Sequence, residues 1–390
     1  MLRRPRPGPS DAVPPRVLVS LSTFKGSVTG QQAGEAFSEG LRAALPHAET
    51  HIMPLADGGG GTLDALAAEN ETLEFRHSRV SGPLGEPVTA PWLYSAAHQT
   101  AVIEMRAAAG LDLVPLDRRN PCETTTYGVG ELIGEAKKAG ARHLLLGLGD
   151  SATADCGAGM LQGLGAKFSD QRGELLERPV RGGDLPRIHS VGLGPVRRFL
   201  DEFASFKVLC DVENPLLGPA GAAEFFAQKG ATEEQCRRLE EGFETFVSLL
   251  EADAHATVRS RPGAGAAGGL GAACAICRGR LLPGASTVMA MIGFQKHLEW
   301  ADLLVLGEGA FDSQSLGGKA SGTALHRARA RGVPVLLICG KVKLPEHALS
   351  GFQHVTVKAL TSGGEPPPGP EETLNRIAAI GRAACLGMIA

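Results

Sequence analysis

Aromatic side chains are scarce: only two Trp and two Tyr occur in 390 residues, and Phe, Trp and Tyr together make up 5%. Stacking platforms of the kind that hold single-stranded nucleic acid are therefore not expected. An excess of one charge is also missing, because 39 Lys and Arg stand against 42 Asp and Glu, for a net charge of −3. That balance provides no electrostatic footprint for nucleic acid or for an anionic membrane surface. No apolar run reaches the ~18 residues that a spanning helix needs. The opening MLRRPRPGPSDAVPP has basic residues but no apolar stretch or cleavage site behind them, so it fails as a secretory signal. Residues 1–15 read as a disordered tail. Eight scattered Cys in a chain of this size read as reduced thiols, and the expected location is cytoplasmic. A Walker A pattern is absent too, since none of Lys25, Lys229, Lys319 or Lys341 completes GxxxxGK[ST], which argues against a P-loop NTPase.

What is present is a core-forming composition, 43% hydrophobic with 52 Gly. At this length, two or three domains are expected. The run 17–21 reads as a strand, followed by a loop at 22–27 and an amphipathic helix over 31–45. The same grammar recurs with a strand at 51–55, the loop Ala56-Asp57-Gly58-Gly59-Gly60-Gly61 and a helix opening near Thr62. It returns late in the chain with strands at 302–306, 333–339 and 354–360, the first of these followed by Gly307-Glu308-Gly309. Such βα units predict an α/β fold with a parallel, doubly wound sheet, compatible with a flavodoxin-like order. The expected organisation is a flavodoxin-like domain from 16–74 and 291–390, formed by both chain ends, with a second α/β domain inserted at 75–290. Within the insert, 232–250 reads as a long helix with Thr232 and Gln235 in a capping box. The segment 364–370 reads as a connection to a final helix.

In an open parallel sheet, ligands sit beyond the carboxyl ends of the strands, which makes the Gly-rich loops the candidates. A flavodoxin-like order would bring the loop at Lys25 beside the loop at Glu308. The run 263–268 matches GxGxxG, but it follows no strand and has no acidic residue about 20 positions on, so it is not read as a dinucleotide fingerprint. Cys274 and Cys277 have CxxC spacing without a second pair or a nearby His, and read as buried small residues rather than a metal or redox site. Gly with Ser, Thr, Asp and Lys crowds four further loops: 147–159, 211–218, 228–232 and 307–319. Carboxylates at Asp57, Asp155, Asp211, Glu308 and Asp312 offer oxygen ligands for Mg²⁺, and lysines offer point charges for phosphate. This is an inventory for phosphoryl transfer, where catalysis is mainly positioning and charge stabilisation.

These residues resemble the bacterial glycerate kinases of the glycerate 2-kinase type. The resemblance is carried by Phe24-Lys25-Gly26-Ser27, Ala56-Asp57-Gly58-Gly59, GLGDSATADCGAGM at 147–160, DVENPLLG at 211–218, FAQKGAT at 226–232, GAGAAGGLGA at 263–272 and GEGAFDSQSLGGKA at 307–320. It implies two α/β domains with the site between them, and ATP, Mg²⁺ and D-glycerate as reactants giving 2-phospho-D-glycerate. Lys25, Asp57, Glu308 and Asp312 are the expected catalytic residues. Gly26, Ser27, Gly58, Gly59, Ser151, Thr153, Asn214, Lys229, Gly307 and Lys319 are expected at phosphate or substrate, and Asp57, Asp155, Asp211 and Glu308 at the metal. Which carboxylate is base and which is ligand stays open. The partners expected are small molecules, with neither nucleic acid nor membrane, and a homodimer is compatible with the sequence.

The chain also departs from the family's pattern. Ser22-Thr23 stands where Asp-Ser precedes Phe-Lys-Gly, and Gly60 replaces the Glu of Asp-Gly-Gly-Glu-Gly. Asp150, Ala154 and Cys156 alter the Gly-Gly-Ser-Ala-Thr-Asn-Asp-Gly-Gly loop, and Ala310 replaces the Arg of Gly-Glu-Gly-Arg. Two other readings follow from these changes: a member that binds nucleotide or hydroxy acid without turnover, or a kinase for a different small hydroxy acid.

Overall fold

Strands buried on both faces read as unbroken apolar runs, and Val17, Leu18, Val19 and Leu21 are each completely buried. In the computed structural model, which describes residues 14–24, 26–352, 354–361 and 365–388, they belong to the strand Arg16–Leu21. Most of the expected N-terminal tail, through residue 13, lies outside the described residues, as does Lys25. The chain groups into two units, one reaching residue 55 and resuming at 289, the other covering 56–288.

The first unit is built on five parallel strands, Arg16–Leu21, Glu49–Ile52, Leu303–Phe311, Val335–Val342 and Val355–Ala359. Numbered along the chain they lie in the order 2-1-3-4-5, which is the flavodoxin-like arrangement. The helix Gly30–Ala44 starts at Thr29, whose side chain forms a capping box with Gln32. Its buried Ala33, Phe37 and Leu41 pack with Val17, Val19, Val305 and Ile338 of the sheet and Ile377 of the final helix, Pro370–Met388. The third strand runs further than expected. Gly307, Glu308 and Gly309 lie within it rather than in a loop, because Val335–Val342 continues to pair with it as far as Phe311 opposite Val342. The connection expected at 364–370 is described only from 365.

The second unit holds a six-stranded sheet in the order Arg280–Leu282, Ser205–Leu209, His143–Gly147, Thr100–Glu104, Pro87–Ser95, Glu74–Ser81. The first four are mutually parallel, and the last two form an antiparallel hairpin joined to them. Helix Glu233–Ala254 begins at Thr232 with the expected capping box, and its Phe246 ring meets Phe168 edge-on at 5.5 Å. Cys274 and Cys277 are buried and unbridged. The Gly-rich run ends in helix Ala266–Ile276, whose first turn is kinked by left-handed residues 267–269. Gly268 is required there: a Cβ would stand 2.0 Å from the Thr153 carbonyl oxygen, and its own carbonyl accepts the Cys156 N–H. The run thus serves to bring backbone against the 151–156 loop.

The sequence reading placed 56–74 with the first domain, whereas these residues group with the second unit. The reason lies in their hydrogen bonds: Gly149 N–H donates to the Gly58 carbonyl at 3.1 Å, and Leu63 N–H to Glu104 Oε1 at 2.9 Å. Among the described residues, no helix is long and apolar enough to cross a membrane.

Candidate active site

Parallel strands deliver the loops that follow them to one edge of a sheet, the carboxyl edge where ligands of such folds bind. In the first unit, Ser22 N–H donates to the Gly307 carbonyl at 2.8 Å, so the loop after the first strand meets Gly307 where the strand order reverses. Gly26 follows with φ +76°. Ser27 Oγ shares a hydrogen bond with Thr373 Oγ1 at 2.8 Å, so this expected phosphate ligand ties its loop to the final helix. Glu308 is half-buried opposite Cys339, and burial together with that carboxylate pushes the Cys339 thiol far above its usual range. Asp312 Oδ1 accepts the Ser315 N–H at 2.9 Å and caps the turn Ser313–Leu316. Burial works against the Asp312 charge, but the Ser315 N–H and the Lys319 cation outweigh it and hold the carboxyl below its ordinary value. Lys319 itself stands at the start of helix Ala320–Arg331.

In the second unit, the Asp57 loop lies against the ends of the parallel strands. Thr62 Oγ1 accepts the Gly58 N–H at 3.0 Å and donates to the Gly59 carbonyl at 2.7 Å, and Asp57 Oδ1 accepts the Gly59 N–H at 3.2 Å. Beside it, two residues that the sequence reading missed enter the site. Glu104 ends its strand only 5% exposed, and burial pushes its carboxyl up to about 7 despite the Leu63 N–H and the Arg106 cation. Arg106 donates to Asp112 and lies 3.8 Å from Glu104 and 4.0 Å from Asp150. Their signal was the strand-then-loop grammar used for Lys25 and Asp57, here at the end of 100–104.

Several expected ligands turn out to be occupied. Asp155 is completely buried; one carboxylate oxygen accepts Thr126 N–H, Thr126 Oγ1–H and Gly159 N–H, and the other accepts Gly157 N–H. Burial still pushes its carboxyl up against those four donors. Its environment is that of an internal anchor for the 153–159 loop, not of an open metal ligand. Lys229 is 8% exposed, and its Nζ donates to Ser151 Oγ and to the Thr153 carbonyl, both at 2.7 Å. Burial pushes its amine down to about 7, although the Asp155 charge pulls the other way. It is therefore a strut between loops rather than a cation presented to phosphate. Asn214 Nδ2 donates to the Ala220 carbonyl and to Glu224, holding its own loop. Both Asp211 oxygens accept the Ala285 N–H at the start of helix Gly284–Met291.

The structure thus brings together Ser22, Gly307, Glu308, Asp312 and Lys319 in one unit, and Asp57, Gly58, Gly59, Glu104, Arg106, Asp150 and Ser151 in the other. Comparison with known proteins gives these constellations a context. A family model described as the glycerate kinase family matches residues 17–378. The chain is 41% identical to a glycerate kinase of Bacillus cereus, over 84% of this chain and 85% of that one. It is 38% identical to the glycerate 2-kinase of Escherichia coli, again over 84% and 85%. A crystal structure from Salmonella typhimurium LT2, provisionally assigned as glycerate kinase 2, superposes with a TM-score of 0.79 at 34% identity. That match covers 96% of this chain and 98% of the other.

Proposed function

The chain belongs to the glycerate kinase family and is a kinase, and on that premise we propose that it transfers the γ-phosphoryl group of ATP to the 2-hydroxyl of D-glycerate, yielding 2-phospho-D-glycerate. The observation that carries this reading is the family match over nearly the whole chain, together with carboxylates and glycines gathered at the carboxyl ends of parallel strands in each unit. Phosphoryl transfer asks a protein mainly for position and for charge placed where charge develops.

Asp57, Glu308 and Asp312 present oxygen donors of the kind Mg²⁺ prefers, and each is only half-buried, Asp57 and Asp312 outside the strands and Glu308 within the third strand of its sheet. Within the first unit, Glu308 and Asp312 fit the ion and would hold it. When bound, it would neutralise phosphate charge. Asp155 leaves that set, because it is completely buried and its oxygens accept four donors; Asp211, half-buried with the Ala285 N–H shared between its oxygens, stays among the oxygen donors of the second unit. Lys25 and Lys319 are assigned to the transferring phosphoryl group and the glycerate carboxylate. The backbone N–H of Gly26 supplies a further donor to anionic oxygens, whereas those of Gly58, Gly59 and Gly60 donate to Thr62, Asp57 and Asp150. Removal of the hydroxyl proton falls to one of these carboxylates.

The test is ³¹P NMR of the purified protein with ATP, Mg²⁺ and D-glycerate, which reports turnover and the hydroxyl that is modified. A 2-phosphoglycerate resonance is expected, weakened at least tenfold in Asp57→Asn. Binding of ATP without a phosphorylated product would refute the proposal and favour a silent binder. Turnover with another hydroxy acid alone would reassign the substrate.

A further inference from the structure

Asp150 has a left-handed backbone, φ +60°, which a side chain disfavours and glycine does not. Strain of this kind persists where the surroundings hold it in place, and here the contacts are specific. Asp150 Oδ2 accepts the Gly60 N–H at 2.9 Å and stands 4.0 Å from Arg106 Nε. A side chain at position 60 would point at that same guanidinium, since a Cβ there would lie 2.9 Å from Arg106 Nη1. Gly60 is not among the positive-φ glycines, so nothing in its backbone demands glycine. One arginine thus lies within reach of two positions from which a carboxylate could come. The chain has none at 60 and has one at 150, and both positions are departures from the pattern the sequence resembles.

We propose that Asp150 is a positioning residue for the kinase site: with Arg106 it holds the 57–60 turn, and through it Asp57, in place of a carboxylate on residue 60. The path is short. Asp150 fixes the Gly60 amide, and the neighbouring Gly59 amide donates to the Asp57 carboxylate. Thr62 and Gly149 hold Gly58 and Gly59, and Asp150 holds the Gly60 end, so losing the Asp150 acceptor loosens that end of the turn and lets Asp57 drift. The inference rests on the function proposed above, because it takes its catalytic consequence from the role of Asp57.

The full-length protein tests it through Asp150→Gly, which suits the left-handed backbone and so should fold without loss of melting temperature. Its kcat should fall about tenfold to a hundredfold, the scale of a misplaced reacting group, with KM for ATP little changed. Adding Gly60→Glu should recover most of kcat by returning a carboxylate to Arg106, and Asp150→Asn, which keeps the acceptor but not the charge, should fall between. Hydrogen–deuterium exchange of the 57–63 segment should rise in Asp150→Gly and return towards wild type in the double variant. Wild-type kcat in Asp150→Gly, or unchanged exchange in that segment, overturns the proposal. A wild-type protein that does not phosphorylate glycerate refutes the function instead, and the exchange measurement still decides whether Asp150 holds the turn.

Discussion

Lys229 offers the sharpest test of the site's electrostatics. Its ammonium is brought down from 10.5 to about 7; at about 1.4 kcal/mol for each tenfold change in proton affinity, the interior disfavours the charged form by about 5 kcal/mol. The geometry agrees with a neutral amine above that pH, because such an amine has two N–H donors and the two contacts, to Ser151 Oγ and the Thr153 carbonyl, use both. The sign follows from proton counting. Between about 7 and 10.4 the unfolded chain binds the proton that the native protein has released, so native stability rises with pH across that window, by about 1.4 kcal/mol per pH unit. Below it, both states are protonated and the cost of burying charge is fully present.

Lys229→Met removes the titration and leaves the Ser151 hydroxyl and the Thr153 carbonyl without this donor, at about 1–3 kcal/mol for each group. Urea denaturation of both proteins from pH 6 to 9.5 is the assay. The stability of wild type relative to the variant should rise by about 2 kcal/mol between pH 7 and 9. A gap that stays constant over the whole range would mean that Lys229 keeps its proton throughout, and the assignment of a neutral strut would be wrong.

Two further outcomes follow from buried carboxylates. Glu104, pushed up from 4.5 to about 7, gives the opposite slope: the native protein holds an extra proton between those values, so its stability falls as pH rises through that range, by up to about 3 kcal/mol. Glu104→Gln keeps an acceptor for the Leu63 N–H and should abolish this slope, leaving the variant more stable than wild type at pH 8 in urea denaturation. Asp155→Asn turns an amide NH₂ towards at least one of the donors from Thr126, Gly157 and Gly159 and should cost about 3 kcal/mol or more. Its remaining activity should show an unchanged Mg²⁺ dependence, and a raised Mg²⁺ requirement in that variant would return Asp155 to the metal ligands.

Local signals marked much of the molecule in advance. The strand Arg16–Leu21, the helix Gly30–Ala44 and the capping box at Thr232 were legible because each is written in a few neighbouring residues: an apolar run, a 3.6-residue stripe, a Thr three residues before a Gln. The candidate loops stood out for a similar reason, since Gly beside Asp, Ser and Lys at strand ends is a contiguous pattern. The family could be recognised because its motifs run in order through most of the chain.

Which partners each side chain in those loops has depends on segments distant in the chain. Asp57, Asp155 and Asp211 look alike as acids in loops that follow strands, yet Asp155 is sealed by four donors from residues 126, 157 and 159, and Asp211 receives an N–H from Ala285. Lys229 reads as a phosphate cation until Ser151 and Thr153 close around it. Arg106 and Asp150 meet across some forty residues of intervening chain. Secondary structure and motif order depend on short-range sterics and periodicity, which the sequence by itself determines. Burial, desolvation and hydrogen-bond satisfaction depend on which segments pack together, and only the tertiary structure decided those.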